Sequence, residues 1–262
     1  MKNLKITFLI ATFVLFAIGI QAQTVTPSKN YITREVNNVT DFNSIRVLGS
    51  PDVEYRQSNG AKTTVYIYGS DNLVDLLEVT TVNGVLQVKM REGVTILRGE
   101  RRLKVVASSS ALSHVDVQGS ADVNLKGTVQ GSNLQLNVIG SGDIDADDLQ
   151  VANIIATVKG SGDIDLKNVK ATKVDIQVSG SGDVEVKGVT EKAVMKLVGS
   201  GDISADKLIA THVTAAVSGS GDIECYASQQ LDATVGGSGD IEYSGNPSIV
   251  NKQGKKGQIS QK

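Results

Sequence analysis

The sequence has no tryptophan, a single cysteine, two histidines and only 4% aromatic residues. One cysteine, Cys225, cannot close an intramolecular disulfide, so the fold has to be stable without one. Few aromatic rings leave Val, Ile, Leu and Ala to fill the core. His114 and His212 are far apart and lack metal-ligand spacing. An excess of one charge is also missing. There are 26 Lys and Arg against 28 Asp and Glu, a formal net charge of -2, which gives no electrostatic case for nucleic acid. Long apolar runs are absent apart from one, Ile6 to Ile20. Lys2 and Lys5 precede it and Gln21-Ala22-Gln23 follows it. That is the layout of a secretory signal peptide with cleavage expected after Ala22. The run is short for a membrane span, which needs roughly 20 residues. No Cys follows it, which argues against a lipid-modified signal. The expectation is an exported chain with no transmembrane segment, found in the periplasm, at the cell surface or outside the cell. Without Lys2 and Lys5 it carries 24 basic against 28 acidic residues, a net charge of -4.

What the sequence does have is glycine, 27 residues of it, much of it in one motif. Gly-Ser-Gly-Asp followed by Ile or Val occurs six times, beginning at Gly140, Gly160, Gly180, Gly199, Gly219 and Gly237. The spacings are 20, 20, 19, 20 and 18. Degenerate copies stand at Gly49 ("GSPDV"), Gly69 ("GSDNL") and Gly119 ("GSADV"). A period near 20 is a solenoid signature.

Apolar residues hold column by column around the motif. Two before the first Gly stand Val138, Val158, Val178, Leu197, Val217 and Val235. Four after it stand Ile144, Ile164, Val184, Ile203, Ile223 and Ile241. Further columns lie four and six before and six after, with polar residues between them, and Cys225 falls in the last. Period-two alternation means strand. Columns that persist from unit to unit mean stacked parallel coils about 4.8 Å apart. The fold class is therefore all-β, a parallel β-helix or solenoid with coils of about 20 residues. A column nine after the first Gly (Leu149, Val169, Val189, Leu208) predicts a third, shorter side. In this reading the motif is the corner. Gly140, Gly142, Gly160, Gly162, Gly180, Gly182, Gly199, Gly201, Gly219, Gly221, Gly237 and Gly239 supply unusual backbone angles there. Ser and Asp hydrogen-bond nearby amides.

The expected organisation is a signal peptide over 1–22, an exposed leader over 23–40, divergent coils over 41–112, regular coils over 113–245 and a polar basic tail over 246–262. The first coils and the regular ones form one solenoid of about ten coils, roughly 50 Å long. Asn83-Gly84 between apolar runs predicts a local two-residue hairpin. The tail either caps the last coil or is disordered at its end.

The repeated "VxGSGDI" coils after a strand-rich, degenerate first half resemble the head GIN domain family, a secreted family labelled as autotransporter adhesins and common in Bacteroidetes. The resemblance covers roughly 41–245. It implies a right-handed β-helix outside the cytoplasm and carries over no catalytic residue. No run of amphipathic strands follows 245 to form a translocating barrel, so autotransport by this chain itself is not expected.

The candidate site residues are two acidic columns. Asp143, Asp163, Asp183, Asp202, Asp222 and Asp240 form the first. Asp145, Asp165, Glu185, Glu224 and Glu242 form the second, interrupted by Ser204. Stacked charges at this spacing repel by roughly 1 kcal/mol per pair in water. Turn amides, solvent, Lys167, Lys187, Lys207 or cations have to offset that. Three readings stay open: corner hydrogen bonds with a solvated face, calcium bound by carboxylates, and an acidic face for a glycan or an envelope protein. No other cofactor is expected. Arg98, Arg101 and Arg102 with Glu92 and Glu100 read as a solvated loop or an anion site. Tyr31, Tyr55, Tyr66 and Tyr68 read as packing or as a sugar-stacking patch. A catalytic pair would break the repeat, and no break stands out. The expected function is an exported, non-enzymatic binding or adhesion module of the cell envelope. The alternatives are a polysaccharide-active enzyme and a structural spacer.

Overall fold

A computed structural model describes residues 23–58, 60, 62–97, 103–254 and 257–262. The predicted signal peptide and the cluster Arg98, Glu100, Arg101 and Arg102 lie outside them. The first half contains β1 (Gln23–Val25), β2 (Tyr31–Glu35), β3 (Ser44–Gly49), β4 (Asp52–Gln57), β5 (Thr64–Ser70), the single helical turn α1 (Asp71–Val74), β6 (Leu77–Val82), β7 (Val85–Met90), β8 (Val94–Ile96) and β9 (Lys104–Ser109). The second half contains β10 (His114–Gly119), β11 (Val123–Gly140), β12 (Ile144–Gly160), β13 (Ile164–Gly180), β14 (Val184–Gly199), β15 (Ile203–Val217), β16 (Ile223–Val235), β17 (Ile241–Ser244), β18 (Ile249–Gly254) and β19 (Ile259–Gln261).

Each strand from β10 to β16 pairs in parallel with its successor, in the register set by the repeat. Gly119 lies over Gly140, Gly140 over Gly160 and Gly160 over Gly180. The chain is a parallel β-solenoid. Its core is the set of columns read from the sequence: Ile154, Ala156, Val158, Ile164 and Leu166 are all buried, as are their counterparts above and below. Cys225 is buried in its column.

The corner needs glycine for two different reasons. Gly160 has φ +136°, which L side chains rarely adopt. Gly162 has no such angle. A Cβ on Gly162 would lie 2.0 Å from the carbonyl oxygen of Gly142 in the adjacent coil. The second glycine of the motif is there because backbones touch, which corrects the expectation that both glycines serve backbone angles. The carbonyl of Gly140 accepts from the amides of both Ser161 (2.8 Å) and Gly162 (3.1 Å), so the corner is itself a hydrogen-bonded ladder.

The third side carries a correction. The coil that starts at Gly180 has 19 residues, and pairing slips between Leu166 and Val169. The position opposite Val169 and Leu208 is Gly188. A one-residue slip moves a side chain to the opposite face. Val189 is therefore 47% exposed, and Thr190, in the column of Ala171 and Ala210, is buried.

The first half departs further from the prediction. The coil β3–β4 stacks directly on β10 and the start of β11, across 70 residues of sequence at His114↔Ser44. The intervening segment leaves the winding. β7 and β9 return to lie parallel beside β3 and β4, whereas β5 runs antiparallel to β9 and β2. Asn83 (φ 51°) and Gly84 (φ 76°) make the expected tight turn between antiparallel β6 and β7. Gly69 is not a corner. It lies within β5, and Ser70, which ends the strand, is buried and donates to the carbonyl of Ser28 at 2.8 Å. The 20-residue spacing from Gly49 to Gly69 does not reflect a coil. The leader over 23–40 has no buried residue, but it is paired: β1 with β8, and β2 with β5. The solenoid has about seven turns instead of ten.

The described residues of the tail cap the last coil as a further one. β18 pairs with β16, and β19 pairs with β17. Gly257 and Ile259 occupy the corner positions above Gly239 and Ile241.

Candidate binding face

The sheet that leaves each corner runs β2–β5–β9–β4 and then through the first segments of β11 to β16, to β17 and β19. Its outward residues stand in rows that cross every coil. One row reads Tyr66, Val106, Glu54, Asn124, Asp145, Asp165, Glu185, Ser204, Glu224 and Glu242. The second acidic column is therefore continuous with a tyrosine of the N-terminal cap, 79 residues or more away in sequence.

The first acidic column is a hydrogen-bond ladder. One carboxylate oxygen of Asp143 accepts the backbone N–H of Asp163 (2.8 Å), Asp163 accepts from Asp183 (2.7 Å) and Asp183 from Asp202 (2.8 Å). Asp202 and Asp222 accept in turn from Asp222 and Asp240. Asp240 accepts from Gln258 at 2.7 Å. Sequence reasoning missed three members. Asp52 accepts from Asp122 (3.0 Å), Asp122 from Asp143 (3.3 Å), and Gln258 closes the far end. The signal was present in "GSPDV", "GSADV" and "GQI". Each carboxylate is offset by an amide dipole, which is how stacked like charges coexist at this spacing.

The second column is offset by lysines. Lys167 lies 3.6 Å from Asp145 and 3.9 Å from Asp165, Lys187 lies 2.6 Å from Glu185, and Lys262 lies 2.9 Å from Glu224 and 3.6 Å from Glu242. Between the two columns runs an open groove of about 320 Å³, lined by Asp163, Asp165, Asp183, Glu185, Asp202 and Ser204. Its walls differ. Asp165 is pushed above the ordinary carboxylate range, chiefly by burial, against the pull of Lys167. Its Oδ1 is buried without a hydrogen-bond partner. Glu185 is held below that range by its hydrogen bond from Lys187. Among the described residues no group of three or more His, Cys, Asp or Glu is placed to hold a metal ion.

The cap end of the face is aromatic. Tyr31 and Tyr68 stack with ring centroids 6.1 Å apart. Tyr66 and Tyr68 share the outward face of β5, where Tyr68 pairs with Lys104. Lys104 reaches Glu54 at 3.3 Å. Tyr55 does not join them. It is fully buried, edge-on to Phe42, with its hydroxyl 3.3 Å from the Ser109 carbonyl. Cys225 is no nucleophile, since burial pushes its thiol up to about 12. His114 sits beside Asn137 (3.4 Å), and His212 is exposed in the row between Lys192 and Gln230. No helix among the described residues is long and apolar enough to cross a membrane.

Residues 41–167 and 152–247 match the family described as "putative auto-transporter adhesin, head GIN domain". A crystal structure from Bacteroides fragilis, described as a "putative adhesin", is 30% identical, with TM-score 0.69 over 91% of this chain and 100% of that one. One from Parabacteroides distasonis, described as a "putative lipid binding protein", is 26% identical, with TM-score 0.84 over 92% of this chain and 100% of that one. A "putative adhesin" from Parabacteroides merdae, 23% identical, shares the fold with TM-score 0.84 over 92% of this chain and all of its own. No curated protein matches. With both halves of its solenoid covered by those two matched segments, the chain belongs to the head GIN domain family.

Proposed function

We propose that this chain is an exported, non-enzymatic binding and adhesion module of the cell envelope, and that it engages a glycan or an envelope protein through the outward face of the acidic sheet. The observation that carries this reading is the continuity of that face. Corner carboxylates fixed by backbone amides, a groove beside them and a tyrosine cluster at one end all lie along one sheet and its corner edge. Side chains held this way lose little entropy on binding. Tyrosine supplies flat, amphipathic contact area. Carboxylates and amides supply directional polar contacts. The adhesin descriptions of the family and of the Bacteroides fragilis relative support the same reading.

One observation favours a second reading, a polysaccharide-active enzyme. Neighbouring Asp165 and Glu185 have acidities pushed in opposite directions, the arrangement that separates a general acid from a base or nucleophile.

The test is a glycan and matrix-protein array probed with the purified chain, with calcium and with chelator, and with retained carbohydrate checked by mass spectrometry. Selective retention that weakens in Tyr66→Ala and Tyr68→Ala is expected. Retention unaffected by both substitutions would remove the aromatic end from the site. Cleavage that disappears in Asp165→Asn would replace the adhesion reading with the enzymatic one. Binding that requires calcium would place the cation on the carboxylates.

A further inference from the structure

The second sheet of the coils, which enters the corners, has a different surface. Its outward rows bring Lys173 beside Lys192, and Ile139 beside Lys159. Lys196 stands on a row between them, beside Gln177. From β11 to β14 the acid on the outward rows of this sheet is Asp175, on the row between Lys173 and Gln177 and 3.2 Å from Lys173, with Asp116 and Asp232 on these rows in the flanking coils. Four lysines thus face one carboxylate. Aliphatic side chains stand between them in the open: Ile139 is 44% exposed, Ile155 39% and Val198 41%. Ile139, Ile155 and Lys159 line a shallow groove of about 350 Å³. Among the described residues, none of the exposed large aliphatic side chains lies on the acidic rows of the other sheet.

We infer that this basic, aliphatic flank docks on an anionic phospholipid headgroup surface. The charge is complementary, and each lysine near such a surface adds to attraction that fades within a Debye length. The exposed aliphatic groups decide between occupants. A hydrated polyanion gains nothing from Ile139, Ile155 or Val198, whereas a bilayer interface buries them. Docking by this flank turns the acidic sheet away from the membrane. The inference does not depend on the acidic face being a ligand surface.

The experiment is co-sedimentation of the purified chain with vesicles of phosphatidylcholine alone and of phosphatidylcholine with an equal part of phosphatidylglycerol. Soluble dextran sulfate binding is measured in parallel. Binding to the anionic vesicles is expected, with weak binding to the neutral ones. The double variant Lys192→Glu/Lys196→Glu is expected to lose about tenfold or more in apparent affinity. Ile155→Ser should weaken vesicle binding and leave dextran sulfate binding unchanged. Lys167→Glu, on the acidic sheet, should leave both unchanged. Circular dichroism and Tm establish that each variant is folded. Equal binding to both vesicle types, no binding to either, or an equal loss in Lys167→Glu would overturn the inference. A double variant that loses dextran sulfate binding while keeping vesicle binding would assign the flank to a polyanionic glycan instead.

Discussion

At the scale of single residues, glycine in this chain answers to two different constraints, and they have different costs. Gly162 packs backbone against backbone. An alanine Cβ there would stand 2.0 Å from the Gly142 carbonyl oxygen and 2.9 Å from Val138 Cγ1. Neither coil can yield without lengthening the corner ladder. Overpacking of this kind costs about 3 kcal/mol. Gly127 has φ +74° with nothing within 4 Å of its would-be Cβ, so alanine pays only for the left-handed angle, about 1 kcal/mol. Thermal unfolding of Gly162→Ala and Gly127→Ala should therefore show the first falling in Tm about three times as far. Equal drops would mean that the coils separate more easily than their contacts imply. Asp165 works in the opposite sense. Burial raises its pKa in the folded state, so the unfolded chain gives up that proton at lower pH than the folded one. Stability contributed by the protonated form is complete below the unfolded carboxylate pKa and is lost as pH rises through the raised, folded value. Asp165→Asn should be more stable than the parent at neutral pH, and the gain should vanish in acid. A Tm difference independent of pH would contradict that linkage.

At the scale of elements, the regular coils were legible because each one repeats a register that its neighbours must share. Six copies of one motif give the period, the faces and the corner. The same logic explains the errors. Val189 belongs to its column by counting from the glycine, yet a 19-residue coil takes its deletion between Leu166 and Val169 of the facing strand, and the count then points to the wrong face. Val189→Ser should accordingly change stability by less than about 0.5 kcal/mol. Val169→Ala, one coil away and buried, should cost about 2 kcal/mol. Comparing the two in denaturant titrations tests the slip directly. The N-terminal half was less legible because Gly49 finds its structural partner at Gly119, and nothing local announces a 70-residue detour. Asn83-Gly84 was readable because a tight turn is local. The tyrosine cluster was half-readable: alternation put Tyr66 and Tyr68 on one face, but Tyr31 joins them only through antiparallel pairing of β2 with β5.

At the scale of the whole molecule, the solenoid separates its charges by sheet, with carboxylates on one flank and lysines among aliphatic groups on another. The repeat that enforces the fold also makes each flank uniform along the axis, at about 4.8 Å per coil. Stability is distributed along that axis as well. In a stack where each coil contacts only its neighbours, the free energy of local opening follows the number of covered faces. β13 lies between β12 and β14 over nearly its whole length. β18 pairs along its length with β16 and is exposed at every residue. β19 pairs over three residues with β17. Opening the last coil exposes little apolar surface and breaks one set of ladder bonds, whereas opening β13 alone breaks two sets and uncovers Val174, Ile176 and Val178. Native-state hydrogen exchange should therefore proceed inward from this end, with amides of β18 and β19 exchanging at least about a hundredfold faster than those of β13. Uniform protection from β13 to β19 would mean that the terminal coil is held by contacts beyond its one neighbour.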